Sequence, residues 1–133
     1  MLTYGKLAGE TPRMLVLESQ YWLDAACMNA ARALGWEWTS APVLMVGYLP
    51  RADMERLLRT LVEFRPDFVL NINLSGMDVG GLFAQLLGDL GIPLVTWFVD
   101  DPRTILMGRT AYATPFSLAL TWDAAYTEYL QAC

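Results

Sequence analysis

The sequence contains no histidine, which removes the commonest metal ligand and the usual base of a nucleophilic triad. Its two cysteines, Cys27 and Cys133, have no partner at ligand spacing, so they read as free thiols rather than as a zinc site or a disulfide framework. Lys6 is the only lysine, and without a Gly-Lys-Ser/Thr turn a P-loop nucleotide site is excluded. Basic residues are scarce: nine Lys and Arg stand against fourteen Asp and Glu, for a net charge of −5. Phosphate-backbone binding needs clustered cations, so no nucleic-acid partner is expected. Long apolar runs are also missing. Val43–Leu49 and Pro93–Val99 fall far short of the ~20 residues of a bilayer span, and Glu18 stops Met14–Leu17 before it can serve as a secretory signal. Free thiols and the lack of a signal together point to the cytoplasm.

What remains is a chain of 133 residues, 55% hydrophobic and 17% charged, suited to one packed domain. Residues 1–12 hold Gly5, Gly9 and Pro12 without an apolar period and are read as a flexible leader. The domain is expected over 13–133. Arg13–Glu18 predicts a buried strand. Ser19 is the expected N-cap of a helix whose stripe is Leu23, Cys27, Ala30 and Leu34, ended by Gly35. Trp36–Thr39 predicts a second strand, and Val43–Tyr48 either an extra strand or its continuation beyond Pro42.

Arg51–Phe64 is amphipathic, with Met54, Leu57, Leu58, Leu61 and Val62 on one side and charges on the other, and it ends before Pro66. Asp67–Leu74 and Pro93–Val99 predict strands around a helix built on Leu82, Phe83, Leu86, Leu87 and Leu90 and closed by Gly91. Arg103–Pro115 is ambiguous. Ser117–Trp122 predicts a fifth strand, and Asp123 caps a last helix through Leu130. Strands alternating with helices imply βαβ units. The expected fold is therefore α/β, a three-layer Rossmann-like sandwich with a mainly parallel sheet of about five strands.

Ligands of such sheets meet the carboxyl ends of the strands. The turn after the first strand, Glu18-Ser19-Gln20-Tyr21-Trp22, has no glycine, which argues against a dinucleotide fingerprint and any nucleotide cofactor bound that way. Asp100-Asp101 resembles a phosphoacceptor receiver's acidic pair, but it follows the fourth strand rather than the first, and no lysine follows the fifth. No metal ligand set is evident. The remaining cluster is Trp97-Phe98-Val99-Asp100-Asp101-Pro102-Arg103 with Asn71 and Asn73, which strand alternation places on one side. Paired carboxylates, amides and an arginine suit a polyhydroxylated ligand. The same residues also suit a solvated turn in which Asp100 caps, Pro102 fixes φ and the asparagines satisfy loop backbone. Residue chemistry leaves both readings open. Gly80-Gly81 is read as flexible entry to a helix rather than a phosphate cradle, and Trp36, Trp38 and Trp122 as core rather than sugar-stacking rings.

Arg65-Pro66-Asp67-Phe68-Val69-Leu70-Asn71-Ile72-Asn73, a helix, then Ile92–Arg103 with Trp97-Phe98-Val99-Asp100-Asp101-Pro102-Arg103 resembles the N-terminal region of the spore-maturation (CgeB-like) glycosyltransferases. Phe116-Ser117 and Trp122-Asp123-Ala124-Ala125-Tyr126 approximate that family's following segment, with a longer gap. The resemblance implies a bacterial GT-B type transferase in which this part shapes the acceptor site for a sugar or glycoconjugate. A C-terminal donor-binding domain, absent from this chain, would then complete it. Asn73, Trp97, Asp100, Asp101, Pro102 and Asp123 are the positions that match the family's pattern; with the strand-end chemistry above, Asp100 and Asp101 are the catalytic candidates, and Asn71, Asn73, Trp97, Arg103 and Asp123 the substrate-binding ones. The resemblance also implies inactivity of the chain alone, and self-association through apolar surface left bare. The competing expectation is a non-enzymatic module binding a small polar ligand or a protein.

Overall fold

Short apolar runs form the strands and the amphipathic stretches between them form helices. The computed structural model describes residues 2–44, 47–109 and 112–133. Its elements run β1 (Arg13–Glu18), α1 (Trp22–Ala33), β2 (Glu37–Pro42), α2 (Arg51–Phe64), β3 (Phe68–Ile72), α3 (Leu82–Asp89), β4 (Leu94–Phe98), α4 (Pro102–Leu106), β5 (Ser117–Thr121) and α5 (Thr127–Gln131), with a 3₁₀ turn at Ala124–Tyr126 before the last helix.

All strands pair in parallel in the order β2-β1-β3-β4-β5. The chain steps one way from β1 to β2 and the other way through β3, β4 and β5. Right-handed crossovers then place the helices of the two directions on opposite faces. Ala31 of α1 packs on Met14, Val16 and Leu70. On the other face, Leu57 and Leu61 of α2 with Phe83 and Leu87 of α3 pack on Leu15, Leu17, Val69, Leu94 and Phe98. This is the α/β Rossmann-like sandwich that the alternation predicts.

The two helical layers are unequal. Tyr129 and Leu130 of α5 pack against the α2–α3 cluster, so α1 is the one helix on its side of the sheet among the described residues. Beyond α1 that face continues with Val95 and Trp97 of β4, in register with Leu118 and Leu120 of β5. Leu118 is 53% and Leu120 42% exposed.

Several boundaries differ from the sequence reading, each for a local reason. Ser19 does not cap α1. Tyr21 is the N-cap residue, and Asp24 in the first turn reaches back to accept from Ser19 N (2.8 Å), Tyr21 N (3.1 Å) and Ser19 Oγ (3.3 Å). β2 starts at Glu37 and runs through Pro42, opposite Glu18; proline is tolerated there because β2 is an edge strand. Val43 N donates to Glu18 O (2.9 Å), which extends that pairing. The alternatives for Val43–Tyr48 fall partly outside the described residues, as does the middle of Arg103–Pro115. β3 ends at Ile72 because Asn73 and Leu74 both take left-handed backbone, at φ 53° and 59°. The last helix is broken into a 3₁₀ turn and α5.

Residues 2–12 carry no regular element, yet they are anchored at the amino ends of the strands. Asp67 accepts from Leu7 N (2.7 Å) and Arg13 N (2.7 Å), and it pairs with the Arg13 guanidinium at 3.4 Å. Lys6 Nζ donates to Leu90 O (2.8 Å), and the Tyr4 hydroxyl donates to Pro66 O.

Candidate functional site

The carboxyl ends of β3, β4 and β5 meet at one edge of the sheet, and the sequence candidates gather there in two layers. Asn71 lies beneath. It is fully buried, its Nδ2 donates to Thr96 Oγ1 (3.0 Å), and its Oδ1 accepts from Leu74 N (2.9 Å). Both ends of the amide are thus spent inside the protein, and Asn71 supports the site from below rather than lining it. The bond to Leu74 N holds the left-handed turn that redirects the chain at Asn73.

That turn removes Asn73 from the strand, so the two asparagines do not share a strand face as alternation predicted. Asn73 instead spans the gap to the loop after β4. Its Nδ2 donates to Asp100 Oδ2 (2.6 Å), while its Oδ1 accepts from Val99 N (3.0 Å) and Asp100 N (3.3 Å). Its own N–H donates to Trp97 O (3.0 Å). One half-buried side chain therefore fixes the Val99–Asp100 backbone and one oxygen of an exposed carboxylate.

Asp101 is engaged differently. It is the N-cap of α4 and accepts from Arg103 N (3.0 Å), with Pro102 at the first helical position. The Arg103 guanidinium also closes on both Asp101 oxygens, at 2.6 Å from Nη2 and 2.9 Å from Nε. Those hydrogen bonds hold the Asp101 carboxyl below its ordinary range, outweighing desolvation, and raise Arg103 in turn. The Arg103 guanidinium lies over the Tyr126 ring at 5.3 Å. Asp123 caps the 3₁₀ turn through Ala125 N (2.9 Å).

Trp97 is half-buried and, by register with Ile72 and Leu120, stands on the α1 face of the sheet. Trp122, read from sequence as core, is 68% exposed. Its Nε1 donates to Val99 O (2.9 Å) and its ring meets Tyr126 edge to face. The sole sequence signal for this was its place at the end of a strand. Trp36 meets Phe68 edge to face, and Arg32 lies over Trp38, so these two rings belong to the packing around α1.

The neighbouring loop has filled its own anion position. Asp78 Oδ1 and Oδ2 accept from Phe83 N and Leu82 N, both at 2.9 Å, so the first-turn amides of α3 beyond Gly80-Gly81 are occupied by a side chain. Beside it, Arg109 donates to Met77 O (3.1 Å) and Ile105 O (3.1 Å), and burial lowers its guanidinium despite the nearby Asp78 charge. Among the described residues no three carboxylates or thiols converge on a point where a metal ion would sit.

The chemistry on offer is therefore narrow: one exposed carboxylate oriented by an amide, one carboxylate–guanidinium pair, and one exposed indole beside them. No helix of the described residues is long and apolar enough to cross a membrane. In comparisons with protein-family models, curated proteins and solved structures, nothing matches the chain.

Proposed function

We propose that this chain is the acceptor-side domain of a GT-B type glycosyltransferase, and that the crevice at the carboxyl ends of β3 and β4 binds a sugar or glycoconjugate. The observation that carries the reading is the grip of Asn73 on Asp100. It orients one carboxylate oxygen and leaves an exposed carboxylate to accept from a ligand hydroxyl. A sugar hydroxyl needs such an acceptor, and a base of this kind is what activates it for transfer. The exposed Trp122 indole offers an apolar ring for the C–H face of a pyranose. Arg103, already paired with Asp101, supplies donors at the rim. The nucleotide-sugar donor would come from the second domain of such an enzyme, so the chain alone binds without transferring.

Asp101 and Asp123 favour a second reading, since both act as caps of local turns. That reading keeps the crevice as a binding site for a small polar ligand and gives it no chemistry. The test is amide chemical-shift mapping during titration with a panel of neutral oligosaccharides. Saturable shifts at Asn73, Asp100 and Trp122 are expected, weakened at least ~5-fold, about 1 kcal/mol, in Asp100→Asn. Silence across the panel, or binding that Asp100→Asn leaves unchanged, overturns the proposal.

A further inference from the structure

α1 carries little charge on its outer side. α2 shows solvent Arg51, Glu55, Arg59 and Glu63, as a helix with one wet face should. The exposed residues of α1 are instead Trp22, Ala25, Ala26, Asn29, Ala30 and Ala33, with one charge, Arg32. The Arg32 guanidinium lies over Trp38 of β2, on the flank away from β4 and β5. A solvent face this poor in charge is uncommon on a surface helix.

Beside α1 lies a matching vacancy. The α1 face of β4 and β5 carries Val95, at the margin of the α1 cluster, and then Trp97, Leu118 and Leu120, over which no helix of the described residues lies. Val95, Leu118 and Leu120, with Leu34 and Pro93, border a groove of about 510 Å³ that no charged residue lines. Two strands at ~4.8 Å spacing make a shelf roughly 10 Å across, the diameter of one helix. The molecule thus presents a helical ridge and, next to it, a shelf of the ridge's own width.

We infer that this face is a two-fold interface between copies of the chain, with α1 of each copy seated on the β4–β5 shelf of the other. A two-fold axis along the strands sets the two α1 helices side by side between the two sheets. The alanines of α1 permit that close approach, and the uncharged flank removes the repulsion that two acidic chains of net charge −5 meet elsewhere. An interface of this symmetry must be self-complementary, and ridge beside shelf satisfies that condition in shape and in charge. Leu7, Leu34, Leu118 and Leu120, each 42–62% exposed, join Trp22 and the exposed alanines of α1 in one apolar surface, on the scale of the ~800 Å² per partner of a standard interface. The inference is independent of the proposed sugar site, which lies at the carboxyl ends of the strands.

The test is sedimentation velocity over a concentration series of the wild type, Leu120→Glu, Ala30→Glu and the control Arg59→Glu, with circular dichroism of each. Leu120 and Ala30 are both exposed, so folding survives the change. The wild type and Arg59→Glu are expected to reach a closed dimer. Each of the other two variants, one on the shelf and one on the ridge, should weaken it at least ~10-fold. A wild type that stays monomeric at the highest concentration overturns the inference, as it would if a helix of another protein were the natural occupant. Association that grows without limit, or a dimer untouched by both glutamates, overturns it as well.

Discussion

Replacing Asn71 by leucine separates packing from hydrogen bonding beneath the carboxyl ends of β3 and β4. The two side chains are close in volume and the position is fully buried, so no cavity opens and the change is confined to polar partners. Leu74 N and Thr96 Oγ1 each lose a partner, and both residues are themselves buried. An unmade bond to a buried group costs about 1–3 kcal/mol, and the added apolar atoms return about 1 kcal/mol. The net loss is about 1–5 kcal/mol, a large share of the ~5–15 kcal/mol that holds a domain of this kind.

Urea unfolding followed by tryptophan fluorescence measures it, with an unchanged slope confirming that the unfolded state is the same. Thr96→Val in the Asn71→Leu background restores an apolar pair, so the double variant should be less damaged than the two singles added together, by about 1 kcal/mol. Asn71 also holds Leu74 in the left-handed region, where an ordinary residue costs about 1–2 kcal/mol. Its loss should therefore shift the Val99 and Asp100 amides that Asn73 binds. A cost below about 0.5 kcal/mol, within the range of a surface change, would refute the claim that Asn71 is a structural clamp.

Asp67 gives a pH test at the opposite edge of the sheet. Burial would raise its carboxyl, but hydrogen bonds from the Arg13 and Leu7 amides and the Arg13 guanidinium outweigh that and lower it below the ordinary 3.8. A depressed folded value means the stabilisation is fully present above the unfolded value and is lost as pH falls through the folded one. Asp67→Asn should thus cost about 1.5–3 kcal/mol at neutral pH, with the gap to wild type closing in acid unfolding below about pH 4. A gap that stays constant down to pH 2 would contradict the assignment. Gly76 and Gly35 form a matched pair at φ 76° and 72°. An added Cβ at Gly76 would stand 2.7–3.0 Å from the Val43 side chain, whereas at Gly35 it meets nothing within 4 Å. Gly35→Ala should cost about 1 kcal/mol of backbone strain, and Gly76→Ala at least about 1 kcal/mol more from overpacking, as read from their urea midpoints; equal losses would disprove the packing argument.

The architecture was legible because period and punctuation agree along most of the chain. Arg13–Glu18 and Arg51–Phe64 are read with the bounds they have, since each is a clean pattern stopped by a strong breaker. Boundaries slipped where a side chain overrode the local pattern. Ser19 looked like a cap, but a buried carboxylate three residues into the helix can serve the same backbone from the other direction, and Asp24 does so. Asn73 looked like a strand residue because Asp67–Leu74 keeps an apolar rhythm. Nothing in that rhythm records that Asn71 folds its own oxygen back onto Leu74 N.

The candidate site divides along the same line. Asp101 with Pro102 and Arg103 is a local device, and the sequence reading saw a cap there but set it one residue early, at Asp100, because either carboxylate lies just before the proline. Asn73 and Asp100 are 27 residues apart in the chain, and their union depends on β3 and β4 being neighbours in register. Parallel pairing itself was predictable, but which side chain crosses from one loop to the next was not. Trp122 shows the limit most clearly. It continues the alternation of Leu118 and Leu120, a pattern that ordinarily means core, and it is exposed because no helix of the described residues covers β5 on that side. The same missing layer leaves the groove beside α1 uncovered. A periodicity rule assumes that each apolar face has been given a neighbour, so where the chain leaves one bare, burial inferred from sequence fails, and the failure marks the surface with most to gain from a partner.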